Sequence, residues 1–350
     1  MQTDLTTLTS MELVNTALTL QDLPPPPEGK TGWPWTEQTE LILGKMSDGS
    51  EWPRISIVTP NYNYGHFIEE TIRSVLLQGY PNLEYIVIDG ESNDDSVEII
   101  KKYEKCLSYW VSEKDSGQSN AINKGIRKST GMIFNWINSD DILNLGSLYN
   151  VAYVWKERNS DILVGSGRII TSEKCIEWIP HQSISALDLA LCFQGEVGMS
   201  QPSTFLNLSL VKQVGAMSED FHYIIDYSLY INLLLSKSIT RLTTINSCLS
   251  TAKLHEGAKT VSSWIKFEKE AIQMLSSVMT KFPANQRKDI KQRIYQLSVQ
   301  VAVREAAMNI GFAGLAALVS LLFKNPFFVF SRFYVGALKN KLVEASIRQY

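Results

Sequence analysis

The residues of this chain best suited to chemistry are two adjacent carboxylates, Asp140 and Asp141, closing the tetrad Asn138-Ser139-Asp140-Asp141 behind an apolar run at 132–137. Side by side they repel each other unless positive charge lies beside them. A hard divalent cation such as Mg²⁺ or Mn²⁺ is the natural counter-charge, held by one or two carboxylates plus substrate phosphates. The competing reading is that one of the pair caps a following helix. Three more polar clusters share the property of following an apolar run: Thr59-Pro60-Asn61-Tyr62-Asn63, Asp89-Gly90-Glu91-Ser92-Asn93-Asp94, and Ser112-Glu113-Lys114-Asp115-Ser116-Gly117-Gln118.

The elements that must position these clusters are legible from periodicity. Residues 55–59, 83–88, 107–111 and 132–137 read as short strands, the first ended by Pro60. Residues 66–79, 94–104 and 118–128 carry helical spacing, with Gly79 and Asp94 as stop and start signals. Strands alternating with helices predict an α/β fold with a mostly parallel central sheet and helices on both faces. In such sheets ligands sit beyond the carboxyl ends of the strands, where the four clusters fall.

Composition limits the alternatives. The chain has 350 residues, 33 Lys+Arg against 36 Asp+Glu, and 44% hydrophobic residues, enough for a large core and too acidic for a dedicated nucleic-acid binder. Residues 324–350 carry a net +4, leaving −7 for the rest. Cys106, Cys175, Cys192 and Cys248 form no CxxC pair and read as reduced thiols of an intracellular protein. MQTDLTTLTS lacks the basic and apolar regions of a secretory signal, so a cytoplasmic location is expected. Residues 1–50 read as a Pro-rich arm, with Pro24 to Pro27 stiff and extended, whose Trp33 and Trp35 pack onto the main domain. Gly29-Lys30-Thr31 lacks the remainder of a phosphate-binding loop.

The stretches IVTPNYNYGHFIEETIRSVLLQGYPNLEYIVIDGESNDDS and SEKDSGQSNAINKGIRKSTGMIFNWINSDD resemble family 2 glycosyltransferases of the GT-A fold. Gln201-Pro202-Ser203-Thr204-Phe205, Asp226-Tyr227 and the loop from Leu254-His255-Glu256-Gly257 resemble the acceptor half. The resemblance implies a nucleotide-sugar half over 51–160, an acceptor half over 161–260, and a helical extension over 261–350. It implies transfer of a sugar from a nucleotide diphosphate sugar to a glycan or lipid-linked acceptor, with inversion. Asp226 falls at the place of the general base, although an aspartate opening a helix is also a capping residue. Asp140, Asp141 and His255 fall at the metal positions for Mg²⁺ or Mn²⁺. Asn138 stands where the family's D-x-D motif starts with an acid. Pro60, Tyr62, Asp89, Gln118, Asn123 and Asn138 fall at donor-binding positions; Tyr62 would stack on the base, and Asp89 would accept an imide N–H, favouring UDP or dTDP sugars. Asn120 replaces an aspartate common in the family.

Two rival classes stand against this reading, the second the more serious. A dehydrogenase needs a Gly-rich turn after the first strand, and Thr59-Pro60-Asn61-Tyr62-Asn63 has no glycine. A non-catalytic carbohydrate-binding relative would be expected to have lost Asp140 or Asp226. Residues 306–323 are uncharged, and Phe327, Phe328, Phe330, Phe333 and Tyr334 are interleaved with Arg332, Lys339 and Lys341. That segment, 306–350, reads either as a peripheral contact with the inner face of the plasma membrane or as a helix packed on protein.

Overall fold

The computed structural model describes residues 17–171, 174–192, 198–239, 241–255 and 264–308, with Ala316 and Val319. They form two compact units: one runs to Ala186 and resumes over Cys192–His255, and the other takes Leu187–Leu191 and the described residues from 264 onward.

In the first unit the described residues place nine strands in one sheet. They are β1 (Ile55–Asn61), β2 (Leu83–Asp89), β3 (Tyr109–Ser112), β4 (Ile133–Trp136), β5 (Asp141–Leu143), β6 (Ile162–Ile170), β7 (Cys175–Trp178), β8 (Thr204–Asn207) and β9 (Leu242–Lys253). The order is β3-β2-β1-β4-β8-β6-β9-β5, with β7 beside β6. The run β3-β2-β1-β4 is parallel. Beyond it the sheet is mixed: β8 is antiparallel to β4 and β6, and β9 is parallel to β6.

Helices α1 (Gly65–Leu76), α2 (Ser96–Lys102) and α3 (Gln118–Lys128) connect the parallel strands, followed by α4 (Ser147–Arg158), α5 (Ala186–Leu191), which belongs to the second unit from Leu187 on, α6 (Leu208–Gln213) and α7 (Ile225–Leu235). All seven residues of β1 are buried, as expected of a strand covered on both faces. Helix α1 buries Ile68, Ile72, Val75 and Leu76; α3 buries Ala121, Ile122 and Ile126. A Cβ on Gly125 would stand 2.4 Å from a Val58 methyl, so this glycine sets how closely α3 lies on β1.

Pro60 does not end β1; the strand continues to Asn61. Backbone groups of a parallel strand alternate between its two neighbours. Val58 turns its carbonyl to Ile137, and Asn61 turns its carbonyl to Gly90. Pro60 therefore faces the β4 side, where pairing with β4 stops at Val58. The N–H it lacks has no ladder to join. Its carbonyl is taken instead by the Ser139 hydroxyl at 2.8 Å.

Residues 17–53 are bound to this unit through a buried arginine. Arg73 of α1 is 1% exposed. Its guanidinium donates to the carbonyls of Pro24, Pro34 and Trp35 at 2.8–3.1 Å and to the Tyr103 hydroxyl at 3.1 Å. Trp33 gives its indole N–H to the Leu143 carbonyl, and Trp35 lies under the Arg73 charge. The expected tryptophan packing is present, but the organising charge comes from α1.

In the second unit, α8 (Trp264–Val278) and α9 (Arg287–Met308) pack on each other. They are laced by Lys269–Glu305 at 2.6 Å and Arg304–Glu268 at 3.2 Å. Among the described residues no helix is long and apolar enough to cross a membrane. Of the segment expected to meet a lipid surface, 306–350, residues 306–308 end α9, and the remainder, Ala316 and Val319 excepted, lies outside the described residues.

Candidate active site

The parallel strands bring the polar clusters to one edge. After β4 the chain turns tightly, Asp141 N–H returning to the Asn138 carbonyl at 3.0 Å, and re-enters the sheet as β5. Thr71 of α1 pins this turn, its hydroxyl lying 2.8 and 2.7 Å from the carbonyls of Ser139 and Asp141. Asn138 is the hub. Its side-chain Oδ1 accepts from Gln118 at 2.7 Å, while its side-chain Nδ2 donates to Asp141 at 3.1 Å and to Gln201 at 3.2 Å. An aspartate at 138 would set a second carboxylate against Asp141; the amide supplies a donor there. Burial first, and Asp140 second, push the Asp141 carboxyl well above its usual range.

Asp140 points elsewhere. Its Oδ2 lies 3.1 Å from Nε2 of His255, just after β9. The imidazole sits in an aromatic enclosure, 4.7 Å from the Phe67 ring and 5.9 Å from that of Tyr64. The Tyr64 phenol is pushed upward by burial and then by the charges of Asp140 and Asp141. Nothing local in the sequence marks Tyr64, because its neighbours Asp140 and His255 lie far along the chain. Asp140 and His255 form a mixed oxygen–nitrogen pair, and Asp141 turns to Asn138. Among the described residues no three His, Cys, Asp or Glu side chains cluster closely enough to hold a metal alone. The donor set thus suits an ion that takes its remaining ligands from a bound phosphate and water.

At the β1–β2 end, Asp89 is fully buried and its carboxylate is saturated. Asn61 and the Ser92 hydroxyl donate to one oxygen at 2.7 and 2.6 Å; the Ser92 N–H and the Ser112 hydroxyl donate to the other at 3.0 and 2.6 Å. Four donors fill its acceptor capacity, so a nucleobase N–H must replace one of them. Tyr62 beside it is 58% exposed, open for stacking. Asp115 folds back over Gly90 so closely that a Cβ there would meet its carboxylate at 2.5 Å, and it caps Gly117 N–H at 2.8 Å.

Helix α3 starts at this edge. Gln118 turns to Asn138, but Asn123 does not join the strand-end cluster; its amide is matched to the backbone of Met217 at 2.9 and 3.0 Å. Glu219 extends that clasp, accepting from Asn120, Asn123 and Ser116. Asn120 is therefore a partner of Glu219. No local sequence signal marks Glu219, because its partners lie about a hundred residues away.

The clasped loop leads into α7, where Asp226 stands in the first turn. Its Oδ1 accepts the Tyr227 N–H at 2.8 Å, and desolvation raises its carboxyl above the usual range. One turn later the Tyr230 ring packs 6.3 Å from that of Trp136, at the end of β4 and two residues before Asn138. Gln201 joins the two halves, donating to the Trp136 carbonyl at 2.6 Å.

Residues 56–214 match the family model "Glycosyl transferase family 2". Those residues, a little under half of the chain, carry the family 2 glycosyltransferase domain. A glycosyltransferase of Rickettsia prowazekii, described as uncharacterised, is 29% identical over 194 residues, covering 53% of this chain and 60% of the relative. The chain thus spans about three-fifths of that relative's length. Among solved structures, S. aureus TarS residues 1–349 with UDP-GlcNAc superposes with a TM-score of 0.57 at 16% identity, covering 85% of this chain and 92% of TarS 1–349. The mannosyltransferase PcManGT of Pyrobaculum calidifontis, with GDP-Man and Mn²⁺, gives a TM-score of 0.51 at 17% identity, covering 94% and 91%. At these identities the likeness establishes the fold, which is GT-A.

Proposed function

We propose that this glycosyltransferase works with inversion, moving a sugar from a nucleotide diphosphate sugar to a hydroxyl of a saccharide or lipid-linked acceptor. The observation that carries the reading is Asp226, a desolvated carboxylate in the first turn of α7, the helix whose Tyr230 packs on the strand end leading to Asn138. Inversion by a single displacement needs one base. Asp226 takes the acceptor proton as the hydroxyl oxygen bonds to the anomeric carbon. The bond from that carbon to the diphosphate breaks, and the nucleoside diphosphate leaves with the electron pair. Its raised carboxyl is the stronger proton acceptor once ionised.

Asp140 and His255 would hold Mg²⁺ or Mn²⁺, with Asp141 and Asn138 setting the turn behind them. A bound ion would supply Lewis-acid stabilisation of the leaving diphosphate. The amino end of α3 favours the same negative charge. Mn²⁺ in PcManGT supports the metal reading. For the nucleotide, Tyr62 and Asp89 support a UDP or dTDP sugar, and UDP-GlcNAc in TarS is in line with it; GDP-Man in PcManGT is the competitor. Binding by Asp89 requires one of its four present donors to yield its place.

The test is nucleotide release from UDP-GlcNAc, UDP-glucose, a dTDP sugar and GDP-mannose with Mn²⁺, by the full chain and by Asp226→Asn. Turnover with at least one donor is expected, lost in the variant while donor binding persists. No release from any donor would overturn the transferase reading, and unimpaired turnover by the variant would overturn the base.

A further inference from the structure

Tyr230 carries a hydroxyl that nothing described so far explains. The residue is 2% exposed, and its phenolic oxygen is buried with no hydrogen-bond partner. An unpaired buried hydroxyl costs about what a lost hydrogen bond costs, and phenylalanine would fill the same space without that cost. Tyr230 stands four residues after Asp226 on α7. Long side chains on a helix lean back over the preceding turn, so the phenol at 230 reaches toward the carboxylate at 226. The ring is held on its other side by Trp136. Thr204 of β8, also beside the phenol, spends its own proton on the Ser200 carbonyl at 2.6 Å.

We propose that Tyr230 is the positioning residue of the general base: its hydroxyl donates to the second oxygen of ionised Asp226, orienting it toward the acceptor. This deepens the assignment of Asp226 and rests on it. The groups acting on Asp226 are its own and Tyr227's backbone N–H; those acting on the Tyr230 phenol are Asp226 and Thr204. No cation acts on this carboxylate among the described residues, so one more neutral donor beside the two backbone N–H groups has a large share in deciding when it ionises. Burial first, and the Asp226 charge second, push the Tyr230 phenol well upward, keeping it a proton donor across the working range.

The test needs neither donor nor acceptor. In protein labelled with ¹³C at the aspartate carboxyls, the Asp226 signal is assigned by its loss in Asp226→Asn and titrated in wild type and in Tyr230→Phe. The carboxyl should titrate higher in Tyr230→Phe by about one pH unit, the worth of one hydrogen bond to a charged group. An unchanged or lower midpoint in a variant that melts like wild type overturns the proposal. If Tyr230→Phe does not fold, ¹³C labelling at the tyrosine ζ carbon reads the same bond from the other side. The Tyr230 phenol should titrate lower in Asp226→Asn, and no change sinks the idea. If Tyr230→Phe moves the carboxyl midpoint while Asp226→Asn still turns over normally, the bond stands and the base assignment falls.

Discussion

The two ends of the parallel strands treat a desolvated carboxylate in opposite ways. At the amino end, Glu84 of β2 is 5% exposed and fully partnered. The Ser56 hydroxyl and Thr130 N–H reach one oxygen at 2.5 and 2.7 Å; the Thr130 hydroxyl and Arg54 reach the other at 2.8 and 3.1 Å. Desolvation acts against its charge, but these four donors outweigh it and hold the carboxyl below its usual range. At the carboxyl end, Asp141 and Asp226 are desolvated with too few donors to compensate, and both are pushed upward. Glu84 knits β1, β2 and the turn before β4 together. Asp226 is left with proton affinity to spare, which is what a base needs.

The sharpest way to break this contrast is Asp226→Asn. Turnover should fall by roughly 10²–10⁴, the usual worth of a general base, with donor affinity nearly unchanged. Its effect on stability should have the opposite sign. A carboxyl whose folded pKa is raised adds stability below its unfolded pKa and loses it as pH rises through the folded value. At pH 7 the wild type therefore carries a penalty that asparagine lacks. The variant should melt slightly higher by calorimetry; a lower Tm would show Asp226 to be a structural residue like Glu84.

Next in size is Asp140→Ala. Removing a residue beyond the ligands of a metal site costs about 10–100-fold in affinity, so losing a ligand should cost at least that. Titration with Mn²⁺ in the presence of UDP-GlcNAc reads it directly. Undiminished metal-supported binding would leave Asp140 without its proposed role.

The contrast also shows what a sequence reveals. Strands β1, β2 and β4 and helix α3 are readable because each is apolar or periodic over its own length, and the tetrad at 138–141 is readable because it abuts one of them. What escapes is set by distant partners. Glu219 closes on Asn120 and Asn123 of α3 across about a hundred residues, and Arg73 is committed to carbonyls at 24, 34 and 35. Neither position differs locally from an ordinary surface charge on a helix or loop. Asn123 is instructive in the other direction. Its place at the start of α3 suits a donor contact, yet helical rotation puts it five residues past Gln118, on the face turned to Met217. Pro60 misleads because strand-breaking depends on which side of the strand the missing N–H faces.

The smallest effect expected is that of Glu84→Gln, and it concerns stability alone. The amide keeps the shape but can accept at only one oxygen, leaving buried donors of Ser56 or Thr130 short of a partner. The loss should be about 2 kcal/mol at pH 7, within the range for a buried hydrogen bond to a charged group. In a domain of this size that is a fall in Tm of about 4–8 °C. Its pH dependence separates charge from packing. Glu84 has a depressed folded pKa, so its contribution is complete above the unfolded value of about 4.3 and is lost as pH falls through the folded value. The melting curves of wild type and Glu84→Gln should therefore stand apart at pH 7 and draw together as the pH drops below about 4. Two curves that stay equally far apart down to pH 3 would mean that Glu84 acts through its shape, and the distinction between a satisfied carboxylate at one end of the sheet and a strained one at the other would lose its electrostatic basis.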